Sequence, residues 1–137
     1  MNPVKRLLLG SGRISDALRA ELAAEGILFA EEGLTGSVRC WDYRDERRRR
    51  STEIEGTAGA IVLTRGRLVV WTSRGPGRGK HIDVSLRAGK PTGIDVRAEP
   101  RRIVFGYHPG DFHPGRSGRF EVHLKTPSAL ELAARLG

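Results

Sequence analysis

The sequence predicts a mainly β fold, a bent antiparallel barrel of seven to eight strands with a helix near each end of the chain. Apolar residues recur at every second position through much of residues 27–125, and clusters of Gly and Pro interrupt this alternation at short intervals. Helical spacing is confined to two stretches near the termini. Short strands at regular spacing are typical of barrels and sandwiches. The 137 residues are the size of one domain, in which residues 1–12 are expected to be loosely ordered.

The first helix is predicted over residues 15–25, in the stretch SDALRAELAAEG. Ser15 is suited to cap its beginning and Gly26 to end it. Leu18 and Leu22, with Ile14 just ahead, form a narrow apolar stripe at helical spacing. A stripe this narrow indicates a helix that lies on the sheet rather than inside it.

The strands are predicted from residue 27 onward. Residues 27–44 form one strand that Gly33 bends, or two strands that Gly33 separates. Alternation within this stretch places Cys40 on one face and both Trp41 and Tyr43 on the other, and it indicates that Cys40 is buried. The next expected elements are a hairpin over 59–71, strands at 81–86, 94–97, 102–107 and 120–124, and loops at 73–80, 88–93 and 108–118.

A closing helix is predicted over residues 127–136, in TPSALELAARLG. Thr126 can cap it with Pro127 in the first turn, or Ser128 can form a capping box with Glu131. We expect the helix to plug an open end of the barrel or to cover a face of the sheet. The apolar side chains assigned to it are Leu130, Ala133, Ala134 and Leu136.

The charge of the chain is unevenly distributed. The formal net charge is +8, and residues 44–137 hold 19 Lys/Arg against 10 Asp/Glu. Four arginines, Arg47 to Arg50, are consecutive. An excess of this kind favours an anionic partner. A solvated surface also explains it, because Arg supplies most of the basic residues, as GC-rich coding would produce.

A resemblance to a known family rests on the hairpin GAIVLTRGRLVVW, with Thr64 and Arg67 at its turn, followed by HIDVSL at residues 81–86. These stretches resemble the small bacterial PH-like domains of the GRAM type, in the pleckstrin-homology superfamily, and the likeness covers about residues 27–137. It implies an open barrel closed by the C-terminal helix. It also implies that anionic headgroups bind at the open end, among the loops after strands 1, 3 and 6.

The implied binding loops depend on the strand count. If residues 27–44 are one bent strand, the loops are 45–57, 73–80 and 108–118, and they converge; if Gly33 splits that strand, the convergence is lost. Phosphoinositide-binding relatives carry basic residues on the strands that flank the first loop, and residues 58–63 have none. The candidate residues for binding an anion or a partner are Arg47, Arg48, Arg49, Arg50, Arg74, Arg78, Lys80 and Arg116.

Other motifs in the sequence are weak. SRGPGRGK, residues 73–80, lacks the spacing and the following helix of a phosphate-binding loop. His108, Asp111 and His113 are zinc-compatible residue types on a loop, without the helical spacing of a metal motif. Trp41 and Tyr43 would stack on nucleic-acid bases if their face were exposed. No catalytic signature is present, so we do not expect enzymatic activity. We also expect no bound metal and no cofactor.

The sequence therefore predicts a basic, non-catalytic PH-like binding module. Its expected partner is an unknown protein or an anionic lipid surface, and the alternative is a nucleic-acid-binding basic barrel. Homo-oligomerisation through an exposed strand edge is a further expectation. No stretch approaches a membrane span, so we expect a cytoplasmic protein, peripheral to the inner membrane face if it binds lipid.

Overall fold

The structure is a computed structural model that describes residues 11–137, apart from the side chain of Arg50. Eight antiparallel strands form a nearly closed barrel, accompanied by two helices, which confirms the predicted fold class. The spatial order of the strands is β5-β4-β3-β2-β1-β8-β7-β6. Most of the segment expected to be loosely ordered, residues 1–10, lies outside the described residues. The elements are α1 (Asp16–Glu25), β1 (Ile27–Arg44), β2 (Arg49–Thr64), β3 (Arg67–Thr72), β4 (Gly79–Arg87), β5 (Lys90–Pro91), β6 (Asp95–Glu99), β7 (Arg102–Tyr107), β8 (Ser117–Lys125) and α2 (Ala129–Leu136).

Strand β1 is the central element of the barrel, paired with β2 on one side and with β8 on the other. It is a single strand, as one of the two predicted alternatives requires. The pairing with β2 shifts register between Glu31 and Leu34, and Gly33 lies there with φ +70°, a conformation that glycine adopts without strain. The strand therefore bends at Gly33 without being divided.

The turn between β1 and β2 comprises only residues 45–48, so the predicted loop 45–57 is wrong in its length. The carboxylate of Asp45 stabilises this tight turn, because its Oδ1 accepts hydrogen bonds from the backbone N–H groups of Arg47 and Arg48 at 2.8 and 2.7 Å. Arg49 already pairs with Arg44 as the first residue of β2. The arginine run is thus divided between the turn and a strand.

Tyr43 occupies the face opposite to the predicted one. Asp42 has φ +49°, and the pairing of β1 with β8 is irregular between Trp41 and Arg44. This bulge breaks the alternation, so that Tyr43 turns into the barrel while Trp41 stays half-exposed outside. The Tyr43 ring, 5% exposed, lies with its centroid 4.7 Å from that of Phe120. Cys40 is 1% exposed, which confirms its predicted burial.

Helix α1 lies against the outer wall of the barrel, as its narrow stripe predicts. The Ser15 hydroxyl accepts a hydrogen bond from the Leu18 N–H and caps the helix. Ile14, Leu18 and Leu22 bury their side chains against residues of β2 and β3, namely Ala60, Val62 and Val69. The outer surface of these two strands is thereby covered.

Helix α2 lies against β6 and β7 and completes the interior of the barrel. Its buried residues are Ala129, Leu132 and Leu136, whereas Leu130 is 54% exposed, so the predicted stripe is offset. Neither the predicted Thr126 cap nor the predicted Ser128–Glu131 capping box forms as expected. Thr126 Oγ1 accepts from the Ser128 N–H, and Ser128 makes no side-chain cap bond. Within residues 11–137, neither helix has the length and apolar character of a membrane-spanning segment.

Candidate anion-binding site at the barrel mouth

The loops after β1, β3 and β7 lie at one end of the barrel, which we call the mouth. Consecutive antiparallel strands reverse direction, so these connections open on the same side. A cavity of about 310 Å³ lies there, lined by residues that include Tyr43 at the end of β1, Gly77 from the loop after β3 and Arg116 from the loop after β7. The convergence expected from a single bent β1 is therefore present.

The floor of the mouth cavity is aromatic. Phe120 lies at its centre, with ring centroids 5.5 Å from His81 and 5.7 Å from Tyr107. Phe112 contacts Tyr107 edge-on at 5.7 Å. Such a floor offers a ring or a short apolar chain favourable contact area.

His81 is a buried, neutral part of this floor. Its Nε2 lies 2.8 Å from the Tyr107 hydroxyl, and the residue is 8% exposed. Burial lowers the pKa of His81 to about 4, an effect that the Gly77 backbone opposes only in part. The positive charge of the mouth at neutral pH must therefore come from its rim.

The cations at the rim of the mouth cavity are Lys80 and Arg116. Lys80 Nζ lies 3.7 Å from a carboxylate oxygen of Asp83, so part of its charge is neutralised. Arg116 is exposed and forms no ion pair with any residue among 11–137. Burial raises the pKa of both tyrosines of the floor, Tyr43 and Tyr107, and the charge of Arg116 opposes this at each. The guanidinium is thus close enough to both tyrosines to act on them electrostatically.

Arg47 lies beside the mouth cavity rather than in it. A neighbouring depression of about 450 Å³ is lined by Arg47 together with Asp45, Glu46 and the segment 113–116. The turn after β1 and the loop after β7 are therefore neighbours. Two carboxylates in the same lining reduce the attraction of this depression for an anion.

The remaining candidates are not brought to the cavity. Arg48 is an exposed turn residue, Arg49 begins β2, and Arg50 belongs to that strand with a side chain outside the description. Arg74 and Arg78 are exposed in the loop after β3, and neither lines a described cavity. Of the eight predicted residues, the structure places Lys80 and Arg116 in one cavity and Arg47 next to it.

Residues 58–63 do not flank the first turn, because the connection between β1 and β2 is shorter than predicted. The strand ends that flank the turn 45–48 are those of β1 and β2, and they carry Arg44 and Arg49. Basic residues therefore do flank this turn.

The structure does not arrange the loop histidines or the glycine-rich stretch 73–80 as a binding site. His108 Nδ1 lies 3.2 Å from the Gly118 carbonyl oxygen. Within the described part of the chain, no three His, Cys, Asp or Glu side chains are grouped as a metal would require. The glycine-rich stretch 73–80 leads into strand β4 rather than into a helix.

Sequence reasoning missed the floor of the cavity. His81 and Tyr107 are 26 positions apart, and their contact depends on how the barrel closes. No local pattern in the sequence predicts that these two residues are in contact. Only the alternation of β4 and β7 predicts that each has an inward-facing residue.

In comparisons with known proteins, no family model, no curated protein and no solved structure matches the chain.

Proposed function

We propose that this chain is a non-catalytic PH-like binding module whose barrel mouth binds an anionic ligand with an apolar body. One observation carries the proposal: a single cavity joins an aromatic floor to Arg116, a guanidinium without an ion-pair partner in residues 11–137. The antiparallel strand order, with the C-terminal helix against β6 and β7, supports the PH-like part.

The two halves of the cavity favour different parts of one ligand. The aromatic floor removes apolar surface from water, and the weak solvation near it strengthens the attraction between a guanidinium and an anion. A cavity of about 310 Å³ is at the small end of ligand pockets, so it suits a headgroup or a small organic anion.

The test is a titration of the full chain with phenyl phosphate, followed by two-dimensional NMR of backbone amides. We expect shifts at the mouth residues and an affinity about tenfold lower in Arg116→Gln, because one charge-assisted contact is removed. Arg87→Gln, an exposed arginine at the end of β4 that lines no mouth cavity, makes the same charge change and should bind normally.

A flotation assay with anionic and neutral vesicles distinguishes a lipid headgroup from a soluble anion. Binding to anionic vesicles that Arg116→Gln abolishes assigns the mouth to a membrane. Phenyl phosphate binding without flotation assigns it to a small anion. Equal affinity of the wild type and both variants in the titration would refute the proposal.

A second candidate function is self-association through β2. Strand β3 pairs with β2 only from Gly59 onward, and among the described residues no strand pairs with residues 49–57 on that side. This edge reads RRSTEIE from Arg49 to Glu55, basic first and acidic last. Antiparallel pairing of two copies centred on Thr52 places Arg49 opposite Glu55 twice.

Light scattering after size exclusion tests the self-association. Arg49→Glu alone and Glu55→Arg alone should each weaken a dimer, since each places like charges opposite one another. The double variant restores the opposite charges and should dimerise again. A monomer at all concentrations for the wild type would contradict this candidate.

A further inference from the structure

A second cavity lies on the outer wall of the barrel, across β1, β8 and β7, and we call it the wall cavity. Its volume is about 330 Å³. None of its lining residues is acidic. They are Thr35, Gly36, Ser37, Arg39, Arg102, His123 and Lys125. Three cationic side chains and two hydroxyls therefore surround one space.

The register of the sheet assembles this lining. Arg102 on β7 is directly opposite Lys125 on β8, and Ser37 on β1 is directly opposite His123 on β8. Arg39 follows Ser37 by two positions and so projects from the same face. These side chains start from fixed backbone positions, which reduces the ordering cost of binding compared with a loop.

The cations of the wall cavity are not neutralised. Arg39, Arg102 and Lys125 form no ion pair with any residue among 11–137, and Arg39 Nε donates only to Ser37 Oγ at 3.2 Å. Like charges that share one pocket repel each other unless an anion lies between them. The lining of the wall cavity is therefore net positive. Two carboxylates lie close by in register but outside the lining, since Glu121 is opposite Arg39 and Glu99 is opposite Arg102.

His123, which lines the wall cavity, has a buried ring nitrogen without a hydrogen-bond partner among the described residues. The residue is 6% exposed, and its Nε2 lies 2.8 Å from Glu121 Oε1. Glu121 is in turn held by Arg97 and Arg119 at 3.3 and 3.4 Å. The Nδ1 of His123 is buried and has no hydrogen-bond partner among the described residues. Buried polar atoms of this kind are rare in proteins unless water or a ligand satisfies them.

We infer that the wall cavity binds a phosphate-class oxyanion, free or carried by a larger molecule. Guanidinium groups match the oxygens of a tetrahedral oxyanion in pairs, and hydroxyl groups donate to the remaining ones. The lining offers both kinds of donor and no carboxylate to repel the ligand. This site is separate from the mouth, since Lys125 ends β8 and the mouth loop precedes Ser117 at its beginning.

Burial lowers the pKa of His123, so the ring is neutral in the empty site, and a bound oxyanion should favour its protonation. Because Nε2–H is engaged by the Glu121 carboxylate, a neutral ring presents only a lone pair at Nδ1, whereas the protonated ring presents a second donor. The charged groups that face His123 are Glu121 and Lys125 on its own strand, Arg39 on β1, Arg102 on β7 and Arg97 on β6. The contacts of Glu121 with His123, Arg97 and Arg119 outweigh its burial and leave the pKa of Glu121 lowered, so Glu121 stays a carboxylate between pH 5.5 and pH 8.

Sulfate is the probe of choice, because its own charge is constant over that pH range. In an NMR titration of the full chain we expect shifts at Ser37, Arg102 and His123, and an affinity about threefold higher at pH 5.5 than at pH 8. Arg102→Gln should weaken sulfate binding about tenfold, and Arg39→Gln combined with it should abolish binding. The matched control is Arg101→Gln, one position away in the turn before β7, which should change the affinity less than twofold.

The outcomes distinguish specific binding in the wall cavity from a non-specific response to the net charge of the protein. Equal losses in Arg101→Gln and Arg102→Gln, or no sulfate shifts at these residues, would overturn the inference. Inorganic phosphate and glycerol phosphate binding without flotation on phosphatidic acid vesicles assigns the site to a small molecule. Flotation that Arg102→Gln abolishes assigns it to a lipid headgroup. Arg116→Gln should leave sulfate binding intact, so failure at the mouth is distinguishable from failure here.

Discussion

The mouth and the outer wall of this barrel both present arginine to a cavity, but they do so differently. At the mouth, Arg116 extends from a loop over an aromatic floor. On the wall, Arg39 and Arg102 extend from the two strands that flank β8 into a cavity whose lining includes no Phe, Tyr or acidic residue. The first arrangement suits an anion with an apolar body, and the second suits a bare oxyanion.

The difference shows that adjacency in sequence is a poor guide to a charged cluster. The four consecutive arginines, Arg47 to Arg50, are divided between an exposed turn and a strand end. Arg39, Arg102 and Lys125 are far apart in sequence, yet the register of three strands brings them together. Charge density in space, not along the chain, determines an anion site.

The largest expected effect is a difference between the mouth and the wall in how much each contributes to the free energy of unfolding. Phe120→Ala removes the centre of the aromatic floor and should lower the free energy of unfolding by about 3–5 kcal/mol, through lost burial and a new cavity. Arg39→Gln on the wall should change it by less than about 0.5 kcal/mol. Urea unfolding of both variants measures this, and similar losses would contradict a mouth built into the core.

A second comparison isolates the contact between the loop after β3 and His81. Gly77 has φ +80°, and a Cβ there would come within 2.7 Å of the His81 ring, whereas Gly89 has φ +78° and open space. Gly89→Ala should cost about 1–2 kcal/mol for the left-handed conformation alone. Gly77→Ala should cost about 1 kcal/mol more, because the ring must move. Equal losses of stability in Gly77→Ala and Gly89→Ala, measured by thermal unfolding, would contradict a close contact between residue 77 and the His81 ring.

The buried histidine of the mouth predicts how stability depends on pH. The pKa of His81 in the folded chain is about 4, below its usual value near 6.5, so the unfolded chain binds more protons between these values. Stability should therefore fall as pH drops through this range, by about 2 kcal/mol between pH 7.5 and pH 5. Urea unfolding at both pH values checks this, with His81→Leu as the control that should flatten the dependence. A His81 ring that titrates near pH 6.5 by NMR would contradict it.

The smallest effect concerns the turn that carries the arginine run. Asp45→Ala removes the acceptor for the N–H groups of Arg47 and Arg48. Their hydrogen exchange should become about fivefold faster, since a local bond is lost in an exposed turn. Exchange at the end of β1 should also rise, because the same carboxylate accepts a hydrogen bond from the Tyr43 hydroxyl at 2.7 Å, whereas exchange at α1 should not change. Unaltered exchange at Arg47 and Arg48 would mean that Asp45 does not hold the turn.

The sequence predicts the elements of this fold well, because local signals determine them. Ser15 and Gly26 bound α1 as expected, and the hairpin around Gly66 is present. Tyr43 was misplaced because a bulge at Asp42 interrupts the period of two, and bulges have no strong local signature. The predicted first loop is too long because RRSTEIE lacks the apolar alternation by which strands are recognised, since side chains on both faces of this stretch are exposed.

The candidate sites were only partly predictable. Lys80 and Arg116 could be assigned to one end of the barrel, because topology determines which loops share an end. Arg39, Arg102 and His123 could not be grouped, because their proximity requires the register of three strands to the exact residue. A shift of one position would turn each of them to the other face.

The most direct test that the mouth and the wall are two separate anion sites is a crossed titration. Phenyl phosphate and sulfate are each added to the wild type, Arg116→Gln and Arg102→Gln, and amide shifts are recorded. We predict that Arg116→Gln weakens phenyl phosphate binding at the mouth amides and leaves sulfate binding at the wall amides unchanged. We predict that Arg102→Gln weakens sulfate binding at the wall amides and leaves phenyl phosphate binding at the mouth amides unchanged. Both variants weakening both probes equally would show a diffuse response to net charge and would contradict two separate sites.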